Sequence, residues 1–323
     1  MARKSCLKWT PDTGETNKEK QIFDRSTRSD KGTRGDSDGS TSFNDLSLGW
    51  GTSISAEPEL KNLNWDGQTG GFVTPFAYTA PSGKGLGRPV VAFHYLATGP
   101  VIGGYHQAST TVGLMKRMEF GYTHSWHQAG STAGLSQLWS GGFNTMHGKV
   151  NMVAENLGHK WVPAVSAGFV VRSQVRNVGG MIGNRDSHNG DIYLVATKTV
   201  TQVKGLPMLF SGGIRGTNAS VYGLAGNAPA FQGRWFGTAA FVVSGPRSTL
   251  IFGSEVAQQP RRVAGLPDAA VPSTLTYFVR VVPKIEGTKM NIDFGVAQVA
   301  GNVMPGVNLR SRHQSAIGVS YQF

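Results

Sequence analysis

The stretch that decides the fold is the C-terminal run HQSAIGVSYQF, residues 313–323. His313, Ser315, Ile317, Val319, Tyr321 and Phe323 fall on one face, and Gln314, Ala316, Gly318, Ser320 and Gln322 on the other. One face is apolar and ends in aromatics, while the other is small and polar. Successive side chains of a strand point to opposite sides, so this is the pattern of a strand between an apolar and a polar medium. Working backwards, RMEFGYTHSW (117–126) sets Met118, Phe120, Tyr122, His124 and Trp126 against Arg117, Glu119, Gly121, Thr123 and Ser125. KMNIDFGVAQ (289–298) repeats the alternation with Met290, Ile292, Phe294 and Val296.

Less regular versions occur near 46–55, 70–79, 88–97, 107–115, 145–155, 161–173, 190–203, 206–217, 233–243, 247–257 and 273–282. Together these predict about 14 strands of about ten residues, the length a tilted strand needs to cross a hydrocarbon core. Pro75 weakens the segment 70–79, because proline cannot donate to a ladder, and 12 strands is the alternative count. The connections alternate in length. Long ones are read near 56–69, 128–144, 174–189, 218–232, 258–272 and 301–311, and short ones at Lys116 and near 156–160, 204–205, 244–246 and 283–287. Long external loops opposite short periplasmic turns, with both chain ends on the short-turn side, describe a transmembrane antiparallel up-and-down β-barrel. In that topology Tyr95, Trp126, Tyr193 and Trp235 belong to an outer aromatic belt, and Trp161, Tyr321 and Phe323 to an inner one.

Composition agrees with an all-β membrane protein. Charged residues are 15% of the 323, against about 25% in soluble domains, and Gly reaches 44. No run approaches the roughly 18 consecutive apolar residues of a spanning helix. The net charge of +12 is scattered singly, which excludes a recognisable nucleic-acid module. Cys6 is the one cysteine, so neither a disulfide framework nor a cysteine-based zinc site is available. Residues 1–44 are polar and aperiodic and read as a disordered segment, with the barrel over 45–323. The first twenty residues carry no apolar core of a secretory signal, so the biological start is expected to lie upstream.

Several stretches resemble an uncharacterised family of Gram-negative outer-membrane proteins, a domain of unknown function. They are GGFVTPFAY (70–78), FNTMHGKVNMV (143–153), WVPAVSAGFVVR (161–172), GDIYLVATKT (190–199) and the segment from Thr217-Asn218-Ala219 to Gly223-Leu224. Phe323, with Tyr321, Val319 and Ile317, resembles the C-terminal signal read by the barrel-assembly machinery. The resemblance implies a barrel in the outer membrane, with lipid and that machinery as partners, and no particular activity.

No catalytic signature emerges. His124 and Ser125 are neighbours and must face opposite sides of a strand, and Asp186, Ser187, His188 and Asp191 sit in a predicted loop. His147, His159 and Asp191 are too scattered to imply a metal site, and no cofactor motif is present. The residues singled out are those turned inward if Phe120, Phe169, Phe210, Trp235, Val279 and Phe294 face lipid. They are Glu119, Lys149, Arg172, Arg215, Arg234, Glu255, Arg280, Lys289 and Asp293. An ion on the lipid face at the midplane costs about 2 to 4 kcal/mol, so these are the expected pore-lining set. Lys149, Arg172, Arg215 and Arg234 are read in the outer half of the lumen, giving it a net positive potential. The function read from this is a non-enzymatic, narrow porin-like channel for small polar or anionic solutes. The alternative is an anchoring or surface-binding barrel, and a rim lipid hydrolase ranks below both. Deleting Phe323 should impair assembly in vesicles far more than deleting residues 2–40, as gel mobility before and after boiling would reveal.

Overall fold

Each barrel strand between Val90 and Gln322 lies beside the barrel strand before it, so the sheet is a continuous antiparallel meander. The computed structural model describes residues 62–100, 103–131, 142–175, 187–203, 205–224, 226–261, 273–299, 302–304, 307–308 and 313–323. These fall within one compact unit, Ser53–Phe323. Before the meander come two short strands, β1 (Asn62–Leu63) and β2 (Thr69–Gly70). The barrel follows with β3 (Val90–Ala97), β4 (Gly103–Leu114), β5 (Met118–Ala129), β6 (Phe143–Val153), β7 (Ala164–Val175) and β8 (Ser187–Val200). It continues with β9 (Met208–Ala219), β10 (Asn227–Ser244), β11 (Ser248–Ala257), β12 (Thr274–Pro283) and β13 (Met290–Val299). A small ladder of β14 (Asn302–Met304) and β15 (Val307–Asn308) interrupts the last connection before β16 (Gln314–Gln322).

β16 closes the sheet by pairing with β3, from Ser315 opposite Ala97 to Gln322 opposite Val90. The closed barrel therefore holds 12 strands, the lower of the two counts. Residues 46–55 lie outside the described residues, as do residues 1–44. Residues 70–79 form no barrel strand: they lie buried inside the lumen with the rest of 62–80. No described helix is long and apolar enough to cross a membrane.

Connections 115–117, 154–163, 201–207, 245–247 and 284–289 gather at one end, with the start of β3 and the finish of β16. At the other end β3 is followed by β4, β5 by β6, β7 by β8, β9 by β10, β11 by β12 and β13 by β16, across stretches 98–102, 130–142, 176–186, 220–226, 258–273 and 300–313 of the sequence. An even strand count puts the start of β3 and the finish of β16 at the same end, and the connections there are shorter on the whole, although 98–102 at the other end is shorter than 154–163.

Outward positions carry Phe93, Phe120, Met146, Phe169, Ile192, Phe210, Ile214, Trp235, Tyr277 and Phe294, all exposed. Val279 faces out half-buried. Trp126 and Trp235 stand toward the long-connection end, and Trp161, Tyr321 and Phe323 at the other, exposed. Tyr193 departs from the expected belt. It points inward at 5% exposure, its ring over Gly168 in the register-paired position of β7. Gly213 under Phe236 and Gly253 under Phe278 repeat the device, in which a cross-strand glycine leaves room for an inward aromatic ring.

Ile214 lies outward on β9, between Leu194 and Trp235 in register. Ile214→Arg should destabilise the barrel in vesicles relative to Ile214→Ala, by less than the roughly 2 to 4 kcal/mol that a cation costs at the bilayer midplane, because Ile214 sits beside Trp235 toward the long-connection end. Equal denaturant midpoints for the two variants would mean that this face does not meet lipid.

Candidate functional site

Residues 62–80 carry one charge, Asp66, and pass through a lumen walled by charged side chains. The segment begins as a hairpin, with Asn62 opposite Gly70 and Leu63 opposite Thr69. Its turn is set by Asn64, whose side-chain oxygen accepts from the amides of Asp66 (3.1 Å) and Gln68 (2.9 Å). Gly67 takes the left-handed conformation (φ 85°) that this turn needs. The chain then reverses again through Gly71–Thr74, where the Gly71 amide donates to the Thr74 carbonyl at 2.9 Å.

Four groups of wall residues grip this plug. On β7, Arg172 holds Asp66 with two bonds, Nε to Oδ1 at 3.0 Å and Nη2 to Oδ2 at 2.6 Å. The same Nη2 reaches Asp191 of β8 at 3.0 Å, so two carboxylates share one guanidinium. On β5, Glu119 pairs with Lys149 of β6 at 2.9 Å and accepts from the Thr69 amide, the Thr69 hydroxyl and the Ala80 amide. Lys149 donates in turn to the carbonyls of Thr69 (2.8 Å) and Phe76 (2.9 Å). On β12, Arg280 pairs with Asp293 of β13 and donates to the carbonyls of Gly70 and Gly71. Asn62 donates to Asp293 at 2.7 Å and also bonds Ser320 of β16.

The fourth grip has no cation in its first ring of partners. Glu255 of β11 accepts from the consecutive amides of Phe72 (3.1 Å), Val73 (2.9 Å) and Thr74 (3.0 Å), and from the Thr74 hydroxyl (2.6 Å). Successive amides turned to one point form a concave anion seat, here filled by the barrel's own carboxylate. A Cβ at residue 71 would collide with the Glu255 carboxylate and push it off these amides, so glycine lets the seat form. This seat explains why 70–79 does not join the sheet. Three amides a ladder would use are committed to Glu255, and Pro75 has none to offer.

Smaller bonds complete the seal. The Ala77 carbonyl accepts from Asn151 (2.9 Å) and Ser166 (2.5 Å), and the Ala77 amide donates to Thr197 (2.8 Å). Tyr78 donates to Glu155 at 2.7 Å near the short-turn end, where Glu155 also meets Lys198 at 3.1 Å. Apolar plug residues Trp65, Phe72 and Phe76 join the wall residues Tyr105, Tyr193 and Phe236 in one buried cluster.

Seven of the residues read as pore-lining are buried: Glu119, Lys149, Arg172, Arg215, Glu255, Arg280 and Asp293. Arg234 is half-buried on the inward register of β10. Lys289 is a correction: it is exposed in the connection 284–289, because β13 begins only at Met290. Lys149 is another. It lies in register with Glu119 near the short-turn end, where their charges cancel, and not in the outer half. Sequence reasoning missed Asp66, Asp191 and Tyr193 as partners. The lone charge of 62–80, among Gly and aromatic residues, was the available signal. His124 faces outward to Asn144 and Ser125 is buried beside Gln107, so the two do not meet. Among the described residues no cluster of His, Cys, Asp or Glu has the geometry of a metal site.

A family model described as "Protein of unknown function (DUF3034)" matches residues 62–283, from the first plug residue to the end of β12. None of the curated proteins matches the chain in sequence. Similar solved structures include an outer-membrane channel from Pseudomonas putida F1, at 12% identity over 78% of this chain and 100% of that one, TM-score 0.49. The KdgM porin is similar at 12% identity over 73% of this chain and 99% of that one, TM-score 0.42. The NanC porin is similar at 7% identity over 73% and 100%, TM-score 0.44.

Arg172→Ala would leave Asp66 and Asp191 buried together without their cation, at a cost of about 3 to 5 kcal/mol. Asp66→Asn should cost less, because Arg172 keeps Asp191. Denaturant unfolding in vesicles measures both, and amide exchange across 62–80 should quicken in each. Protection equal to the unmodified protein in Arg172→Ala would remove this latch.

Proposed function

The chain belongs to this family of proteins of unknown function, and on that premise we propose that it is an outer-membrane channel for small polar or anionic solutes, closed here by residues 62–80. The apolar outward belt supports a place in a bilayer, and the gathering of the shorter turns with the start of β3 and the finish of β16 at one side supports the outer-membrane topology with that side in the periplasm. Assembly would then pass through the barrel-assembly machinery, with Phe323 as the terminal signal.

One observation carries the channel reading. The wall charges pair with one another as well as with the plug: Glu119 with Lys149, Arg172 with Asp191, Arg280 with Asp293. A barrel meant only to be filled has no use for so many ions, since burying a charge costs several kcal/mol even when paired. A wall that meets water during transport needs them. The opposing observation is the apolar cluster around Trp65, Phe72 and Phe76, which favours a permanent plug and an anchoring barrel.

Planar-bilayer recording separates these readings. The full chain should be nearly silent, and deletion of residues 62–80 should raise conductance at least about tenfold, because 12 strands enclose more space than wall side chains fill. A folded deletion variant that conducts no better than the full chain would leave the anchor.

A further inference from the structure

Arg215 on β9 and Arg234 on β10 are directly opposed in register. Both belong to the inward row, Arg234 with Phe236, Thr238 and Ala240 and Arg215 with Leu209, Ser211 and Thr217. Directly opposed like charges weaken a ladder. Neither arginine forms an ion pair among the described residues. Arg215 is buried at 5% exposure, stacks on Tyr222 at 4.7 Å, and uses Nη2 for two long bonds to Gln258 and Gln259, at 3.2 and 3.4 Å. Its Nε has no hydrogen-bond partner, nor has the hydroxyl of Tyr222. Arg234 donates to the Gln259 carbonyl at 2.8 Å, and Gln232 accepts from both Arg234 and the Arg261 amide. Three arginines thus meet where the long connection 258–273 leaves β11.

Buried guanidinium donors without acceptors are costly, and a guanidinium offers a planar fork that matches a carboxylate. Arg215, Tyr222, Asp66 and Asp191 line a small cavity between plug and wall, of about 10 Å3, room for about one water. Arg172 bonds both carboxylates, and Arg215, on the same cavity, offsets the second of their charges. The uncompensated positive charge therefore lies on the mouth side of Arg215, at Arg234 and Arg261.

We propose that Arg215 and Arg234 form a binding site for the carboxylate group of a soluble organic anion at the long-connection mouth of the lumen. Taking that anion as the permeant rests on the channel reading; the site itself does not. The carboxylate bridges the two guanidinium groups from the mouth side, which offsets the repulsion across the ladder.

Citrate titrated calorimetrically into the full chain in detergent at low salt tests this. The unmodified protein should bind saturably, and the double variant Arg215→Gln/Arg234→Gln should bind at least about tenfold more weakly, the loss of charge-assisted bonds. The double Lys variant should keep most of the affinity. Arg247→Gln, exposed at the opposite end, should bind as the unmodified protein does. No saturable binding, equal binding in the double Gln variant, or an equal loss in Arg247→Gln would overturn the site. Should the double Gln variant not assemble, Arg234→Gln alone, at the half-exposed rim, must still lose several-fold, and an unchanged affinity overturns the proposal. Citrate binding without conductance in the 62–80 deletion would keep the site and remove the channel. Conductance in that deletion without citrate binding by the full chain would do the reverse.

Discussion

The seam between β16 and β3 is the pairing on which the rest depends. In hydrocarbon a strand edge has no water to bond its amides and carbonyls, and each unsatisfied group costs several kcal/mol. Pairing Ser315 with Ala97 through to Gln322 with Val90 removes both edges at once. The seam also fixes the circumference at 12 strands, and so the width of the lumen. It reaches the lumen contents directly, because Asn62 bonds Ser320 of the closing strand and Asp293 of the strand beside it. The plug is therefore anchored at the place where the barrel closes.

A barrel of this size cannot be filled by its wall alone, whereas eight strands can be. Residues 62–80 supply the missing volume, and their backbone supplies the partners that buried wall ions require. Lys149 is satisfied by the carbonyls of Thr69 and Phe76, Arg280 by those of Gly70 and Gly71, and Glu255 by three amides in a row. A segment with almost no regular structure suits this task. Its peptide groups are uncommitted to ladders and free to face the wall.

Much of the barrel was legible because alternation is a local property. The parity of RMEFGYTHSW puts His124 outward and Ser125 inward, and Phe120, Phe169, Phe210 and Phe294 meet the outside as their spacing requires. The plug was not legible for the same reason. Residues 70–79 alternate like a strand, and periodicity does not say whether neighbouring strands are there to pair with. Pro75 was the warning, and the capture of the Phe72–Thr74 amides by Glu255, far away in sequence, decided the matter. Tyr193 was misplaced because Ile192, Tyr193, Leu194 and Val195 are all apolar, so parity is lost in GDIYLVATKT. The glycine opposite, Gly168, is what draws the ring inward. Lys289 shares the inward parity of Asp293 but falls one residue short of its strand.

The division of charge between plug and wall bears on how such a lumen can be closed by its own chain. If the wall depended on the plug for neutrality, moving the plug would strand several ions in a space of low dielectric. Here Glu119–Lys149, Arg172–Asp191 and Arg280–Asp293 are complete without it. The plug adds one charge, Asp66, and takes one with it if it moves, leaving Arg172 still paired. Among the described wall ions only Glu255 would lose its whole set of hydrogen bonds, and a carboxylate that gives up protein amides for water loses little. Polar attachment of this kind gives a tight seal from many hydrogen bonds, each of which water can replace, whereas the apolar contacts of Trp65, Phe72 and Phe76 resist separation in water. The balance of these two sets determines how firmly the lumen is shut.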